Sequence, residues 1–329
     1  MNSPISCGLT VLRARGRRLC KVIHPDSAVL DYDQAKLFDL DPVGLADLLA
    51  LHNLLHRLGR RRDCCIVRGA VADPTRMLGV RRLLHADPET GDMATLREES
   101  RRWLALDLDS VPLPAGTDPR DLAACAYAVL PLLPAPFHQA AVIVSATATH
   151  GIKPGARLRL WFWCDRPLTG AECKRWLAGA PVDRTVFGAA QLIYTAQPLF
   201  IGRADHLQHR LVMLEGEPVV ETPSAAALAP PIRQPVEFDT PRSEGDALGR
   251  LAGLIRTVRG ASEGQRHPTL FWAACRAGEL VAEGAISPGA AAAALVQSAM
   301  DGGGRDERKA EATARDGIAR GMMEGSRHG

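Results

Sequence analysis

No CxxC pair occurs among the eight cysteines (Cys7, Cys20, Cys64, Cys65, Cys125, Cys164, Cys173, Cys275). That argues against a zinc ribbon and against a disulfide framework, and leaves most of the thiols as small core residues. Net charge is nearly lacking as well: 40 Lys and Arg against 37 Asp and Glu give +3, so no bulk polycation argument for nucleic acid is available. The chain shows no charged-then-apolar leader and no apolar run long enough to span a bilayer. A reducing cytoplasm is the expected compartment, with no membrane partner. A GxxxxGK[ST] phosphate loop is missing, so a helicase motor is expected only on another chain. Tandem repeats are absent too.

What is present is an ordinary globular composition, 46% hydrophobic and 23% charged over 329 residues, long enough for two domains. Arginine is unevenly spread: residues 52–102 hold eleven against seven acids, including Arg60-Arg61-Arg62 and Arg81-Arg82. Such runs serve either as solvated faces or as a patch for an anionic partner.

The most informative stretch is Arg102-Trp-Leu-Ala-Leu-Asp-Leu-Asp109. It reads as a short strand, and strand side chains alternate between faces. Leu104, Leu106 and Leu108 then share one face while Asp107 and Asp109 share the other. Two carboxylates that close repel unless something cationic sits between them. A pair of Mg²⁺ or Mn²⁺ ions carrying a nucleoside triphosphate suits that need. The same residues also read as a strand ending in a solvated acidic turn, helped by Ser110 and Pro112.

Around it, leucines at helical spacing predict a helix over 43–58, and Cys64-Cys65-Ile66-Val67-Arg68-Gly69 predicts a short buried strand. A loop over 111–119 precedes a helix over 119–130, with Asp118 as its cap and Pro119 at its first position. Strands are predicted over 141–145, 157–163 and 191–195. Asp165 reads as a turn residue before Arg166-Pro167, and Thr169 as the N-cap of a helix to Leu177. Trp161 and Trp163 read either as half-core residues or as base-stacking platforms. Prolines at 218, 223, 230, 231, 235 and 241 predict an extended linker. Beyond it the text is helical: Leu248, Leu251, Ile255 and Val258 form one stripe, and Leu270, Ala274, Ala277 and Val281 another. Ser287-Pro288 opens an alanine-rich helix that Gly302-Gly303-Gly304 ends, and a last helix runs to about Met323.

With strands and acids placed, the chain resembles the archaeo-eukaryotic primase superfamily, specifically the primases of phages, plasmids and other mobile elements. The matching text is Trp-Leu-Ala-Leu-Asp-Leu-Asp, then Val-Ile-Val-Ser-Ala-Thr, then Pro-Gly-Ala-Arg-Leu-Arg-Leu-Trp-Phe-Trp-Cys-Asp-Arg-Pro-Leu, then Val-Asp-Arg-Thr…Gln-Leu-Ile-Tyr-Thr-Ala-Gln-Pro. Arg68-Gly69 lies upstream, and the text from Ala261 to Ala274 is similar to the helical domain that follows such catalytic domains. Order and spacing agree over roughly residues 60–325.

The resemblance implies an α+β chain with an RRM-like primase core over 1–220, a Pro-rich linker over 221–245 and a helical bundle over 246–329. It implies Asp107, Asp109 and Asp183 as catalytic ligands of two Mg²⁺ or Mn²⁺ ions. Ser145 matches the family's second motif. The histidine of that motif is missing: strand register puts Arg159 in its place, and His150 lies earlier, in the loop. Arg157 and Arg159 are favoured as triphosphate contacts, because guanidinium binds phosphate bidentately and keeps its charge; His150 is the second choice. Arg68, Arg81, Arg82, Arg210 and Arg266 are the candidate DNA contacts, while a solvated loop accounts equally for His206, His209 and Arg210.

The activity implied is primer synthesis on single-stranded DNA from NTPs or dNTPs, with a separate helicase or replication initiator as partner. A non-catalytic origin-binding protein of the same fold is the alternative. A DxD sugar-nucleotide transferase is a third reading, which the Arg68-Gly69 and C-terminal matches oppose.

Overall fold

A computed structural model describes residues 8–230, 244–262, 264–304 and 306–325. The chain is a mixed α+β protein, and its contacts divide it into two compact units, Met1–Pro231 and Ile232–Gly329. Prolines 231, 235 and 241 of the expected linker lie outside the described residues.

The first unit opens with β1 (Gly8–Arg13), β2 (Val22–Ile23), β3 (Val29–Leu30), β4 (Asp39–Gly44), α1 (Leu48–Leu58), β5 (Cys64–Val67), β6 (Ala70–Val71) and β7 (Leu96–Arg97). There follow β8 (Arg101–Val111), α2 (Leu122–Val129), β9 (Val142–Ala146), β10 (Ala156–Leu168), α3 (Gly170–Trp176), β11 (Leu199–Phe200) and β12 (Leu211–Leu214). Four strands make the central sheet, ordered β12-β9-β10-β8 and antiparallel throughout. A second sheet, β4-β1-β5, is joined to its neighbourhood by the indole N–H of Trp103, which donates to the Gly8 carbonyl at 2.9 Å.

The central sheet is apolar on both faces over most of its area. Leu104, Leu106, Leu108, Leu158, Leu160 and Phe162 are buried on one face, as alternation predicts, and Trp103, Trp161 and Trp163 are buried on the other. Burial removes the two tryptophans of β10 from any role as base platforms. Trp103 and Trp161 meet with ring centroids 6.0 Å apart, a contact that contributes about 1 kcal/mol beyond its buried area. Six of the cysteines, Cys20, Cys64, Cys65, Cys125, Cys164 and Cys173, are buried and unbridged, and burial pushes the thiols of Cys65 and Cys164 up to about 12. They are packing residues, as expected.

Element ends depart from the sequence expectations in particular ways. The first helix starts at Leu48, not Val43, because residues 39–44 are drawn into pairing with β1 and Asp47 caps through Ala50 N–H at 2.7 Å. The second starts at Leu122 with Asp121 as cap, while Asp118 is tied to Arg120 at 2.8 Å. Residues 191–195 form no strand: Ile193 makes a single bridge to Ile66. Asp165 is not in a turn. It lies within β10, which runs five residues beyond Trp163, and accepts from the Thr222 hydroxyl at 2.6 Å. The Thr169 cap is as read, completed into a capping box by Glu172.

Residues 218–230 are packed chain. Val220 exchanges backbone hydrogen bonds with Trp163 and Asp165, and both Val220 and Leu228 enter the core. Arg166 and Arg175 donate to the carbonyls of Pro223 and Leu228.

The second unit holds α4 (Glu244–Arg259), α5 (Arg266–Ala282), α6 (Pro288–Asp301) and α7 (Glu307–Gly325) around one apolar core. Ser287 caps α6 and Pro288 takes its first position, as read. In α4 the buried stripe uses Ala247, Leu251 and Val258, whereas Leu248 is 63% exposed. Helices α5 and α7 approach closely: a methyl group on Gly321 would stand 1.9 Å from the Cys275 carbonyl oxygen, and one on Gly278 2.3 Å from that of Ile318. Among the described residues no helix is long and apolar enough to cross a membrane.

Candidate active site

Strand register builds a polar row across the middle of an otherwise apolar sheet. Arg159 of β10 stands directly opposite Asp107 of β8 on one side and Ser145 of β9 on the other. Directly opposite residues share a face, so the acid, the arginine and the serine form one line. Arg159 Nη2 donates to Asp107 Oδ2 at 2.6 Å and Nη1 to the Tyr194 carbonyl at 2.7 Å. Ser145 Oγ accepts from the Trp161 indole at 2.9 Å, which fixes the hydroxyl beside the row.

One step toward the strand end, Arg157 pairs with Asp109 and also reaches the Ser110 hydroxyl. The ladder shifts register between Ala156 and Leu158, and Ser110 takes a left-handed backbone with φ 61°. Gly155 is required opposite this bend, since a Cβ there would lie 2.8 Å from the Val111 oxygen and its φ is +78°. Asp107 is mostly covered and Asp109 is 74% exposed.

The third acid comes to the same place by a backbone bond. Asp183 N–H donates to the Asp107 carbonyl at 2.9 Å, and its carboxylate accepts from the N–H and hydroxyl of Thr185, both at 2.8 Å, at the start of a 3₁₀ turn over Arg184–Phe187. Asp107 and Asp109 therefore share a face of β8, and the backbone of Asp183 lies beside Asp107.

Beside the row lies a pocket whose lining includes Ser145, Arg159, Lys21, Tyr32, Tyr194 and Thr195. The Tyr32 and Tyr194 rings stack at 3.6 Å and 5°, and Lys21 Nζ stands 5.3 Å from the Tyr32 centroid. Burial pushes the Tyr32 phenol well above its usual range, so it is a neutral wall. Arg159 Nε and Thr195 Oγ1 are buried without a protein partner. Buried donors and acceptors are normally satisfied. Arg68 Nε, Arg157 Nε, His206 Nδ1 and Arg266 Nε share this state, and of these six residues Arg159 and Thr195 are the two that line the pocket.

Sequence reading missed Lys21, Tyr32, Tyr194 and Thr195 as site residues. Residues 194–197 fall inside the family-like text without a role there. Lys21 and Tyr32 carried no motif at all, because the short β2 and β3 reach the site only through tertiary packing.

The remaining candidates are engaged elsewhere. His150 is fully buried: its Nε2–H donates to Pro119 O at 2.7 Å and its Nδ1 accepts from Arg157 N–H at 3.1 Å. Burial, with Arg210, His206 and Arg157 nearby, holds its pKa below the ordinary value, and neither ring nitrogen is left for a phosphate. Arg68 is buried, donating to the carbonyls of Trp103 (2.9 Å) and Leu168 (3.0 Å). Arg81 clamps Asp87 and Asp92, and Arg82 reaches the Ala190 carbonyl over the Phe38 ring. Arg210 is buried, holding Asp205 and the Thr147 carbonyl, and in the second unit Arg266 donates to Gly303 O at 3.0 Å. Each of these five arginines is bonded within its own unit, Arg68 and Arg210 from buried positions.

The donor chemistry at the strand end suits a hard divalent ion, since Asp107, Asp109 and Asp183 supply only carboxylate oxygens. One oxygen of Asp107 pairs with Arg159, one of Asp109 with Arg157, and both of Asp183 accept from Thr185; among the described residues no three His, Cys, Asp or Glu side chains are grouped as metal ligands. Comparison with family models, with curated proteins and with solved structures finds no match to this chain.

Proposed function

We propose that the chain is a primase-type nucleotidyltransferase of a mobile element, building primers on single-stranded DNA from NTPs or dNTPs. The observation that supports the reading is the row Asp107–Arg159–Ser145, which runs into a pocket lined by Arg159 and Ser145, with Asp109 on the same face and the Asp183 backbone beside Asp107. The strands β8, β9, β10 and β12 share one antiparallel sheet with α2 and α3 between them in sequence, which supports an α+β core, although β12 lies beside β9 and not beside β8 as in an RRM-like sheet. The four helices beyond residue 243 match the expected helical bundle in number and place.

In this reading Asp107, Asp109 and Asp183 hold two Mg²⁺ or Mn²⁺ ions once the neighbouring guanidiniums move aside. Bound there, the ions activate the primer 3′-hydroxyl and stabilise the leaving pyrophosphate. Arg159 binds the triphosphate as a bidentate guanidinium donor. Ser145, pinned by Trp161, offers a hydroxyl at the same wall, and the buried Trp161 and Trp163 keep water from its back. The chain contributes positioning and charge, with no covalent nucleophile.

One observation favours a second reading, a non-catalytic replication-initiation protein that keeps this fold: both strand acids are already paired with arginine. The experiment offers single-stranded templates and labelled nucleotides of both sugars, with Mg²⁺ and with Mn²⁺, and sizes the products. The intact chain is expected to make primers. Asp107→Ala with Asp109→Ala should abolish incorporation while leaving the fold and single-strand affinity largely intact. Full activity in that double variant sinks the assignment of the acids.

A further inference from the structure

Arg159 is asked to do two things at once. It is the one strong cation common to the pocket and the acid row: it lines the cavity, and it neutralises Asp107 through a 2.6 Å ion pair. Both partners are mostly covered, 12% and 22% exposed, so the pair is poorly screened and neither charge is comfortable without the other. A carboxylate oxygen bonded to a guanidinium is a poor ligand for a divalent cation, because the neighbouring positive charge repels the ion. A guanidinium held by a carboxylate is likewise a weakened phosphate receptor. The arginine keeps a spare valence, its buried Nε, and a second unsatisfied group, Thr195 Oγ1, lines the same pocket.

We propose that the Arg159–Asp107 ion pair is an exchange latch between a polyphosphate site and a divalent-cation site, so that each ligand admits the other. A polyphosphate in the pocket takes over Arg159, which uncovers Asp107 for the cation. A cation on Asp107 displaces Arg159 toward the phosphate. By linkage the two affinities rise together by one common factor. The inference rests on the nucleotidyltransferase reading for the identity of both ligands and adds to it the order of events. Without nucleotide, Arg159 takes the place on Asp107 that the cation would take.

Two substitutions in the full chain separate this latch from simple charge removal. Free-Mn²⁺ electron paramagnetic resonance gives the cation affinity without nucleotide. Arg159→Gln should bind Mn²⁺ more tightly than the intact chain, by about five-fold or more, and Arg159→Gln with Asp107→Asn should lose that gain. Calorimetry with inorganic tripolyphosphate in excess chelator gives the anion affinity without metal. Asp107→Asn should bind it about five-fold or more tighter. Asp183→Asn removes the same charge nearby but releases no arginine, and should bind within about two-fold of the intact chain on the same scale. Circular dichroism melting checks each fold; if Arg159→Gln does not fold, the tripolyphosphate comparison decides alone.

Mn²⁺ affinity unchanged or weakened in folded Arg159→Gln overturns the latch, as does a tripolyphosphate gain in Asp183→Asn equal to that in Asp107→Asn. Primer synthesis by the intact chain with neither shift present removes the latch and leaves the function standing. Both shifts without incorporation on any template would keep the latch and remove the function.

Discussion

At the scale of single residues, His150 shows how a loop histidine can serve architecture in place of chemistry. Its neutral ring bridges Pro119 O and Arg157 N–H in a fully buried position. That hydrogen bond also steadies the backbone of the arginine that pairs with Asp109. Burial lowers its folded pKa below the ordinary histidine value of about 6.5, with Arg210, His206 and Arg157 adding to the effect. The unfolded chain therefore binds the proton more readily. His150's contribution is fully present above about pH 6.5 and is lost as pH falls from there toward the depressed folded pKa. Urea midpoints from pH 7.5 downward should show the intact chain losing its advantage over His150→Asn below about pH 6.5. Parallel curves would mean that the ring does not titrate as its burial demands.

At the scale of elements, the arginines expected on DNA turn out to be fasteners. Arg68 directly follows β5 and donates to carbonyls on β8 and at the last residue of β10, while its guanidinium covers Trp103 at 5.0 Å from the ring centroid. Replacing it with methionine leaves two buried carbonyls without those donors, at a cost of about 3 kcal/mol. Chemical denaturation should report that loss, and the folded fraction should keep its single-strand affinity. A drop in DNA affinity at unchanged stability would return Arg68 to the interface. The difference from the sequence expectation is one of depth. A basic residue in a basic neighbourhood reads as surface, and only the packing of Trp103 and Leu168 around it shows that it is buried.

At the scale of the whole molecule, the first unit uses more chain than its motifs suggest. Val220 and Leu228 are core residues, and Arg166 and Arg175 bond to the segment between and around them. Residues 1–230 should melt cooperatively, whereas residues 1–220 should lose several degrees through the missing Leu228 and its two backbone acceptors. Equal melting temperatures would place the boundary at 220 after all. On the primase reading, residues 1–230 should extend an existing primer but start new ones poorly. Initiation holds two nucleotides and a template together before any product anchors them, and the second unit, tethered through residues 231–243, supplies grip at high effective concentration. Undiminished initiation by residues 1–230 would make the helical unit a docking site for another protein.

What the sequence determined by itself was whatever depends on local periodicity and chemistry. Alternation placed Leu104, Leu106 and Leu108 opposite Asp107 and Asp109, Thr169 and Ser287 announced their helices, and the helical text after residue 243 was legible from its apolar stripes. These follow from side-chain geometry over a few residues, which no distant contact has to supply. Tertiary structure alone decided the partners. It set Arg159 between Asp107 and Ser145, brought Asp183 to Asp107 by a backbone bond, buried His150 and Arg68, and delivered Lys21 and Tyr32 to the pocket of Ser145 and Arg159, more than a hundred residues further along the chain. Such juxtapositions arise from strand register and burial, which the core as a whole selects because a one-residue slip would exchange the leucine face of β8 with that of Trp103 and Asp107 and press the carboxylates into the leucine core.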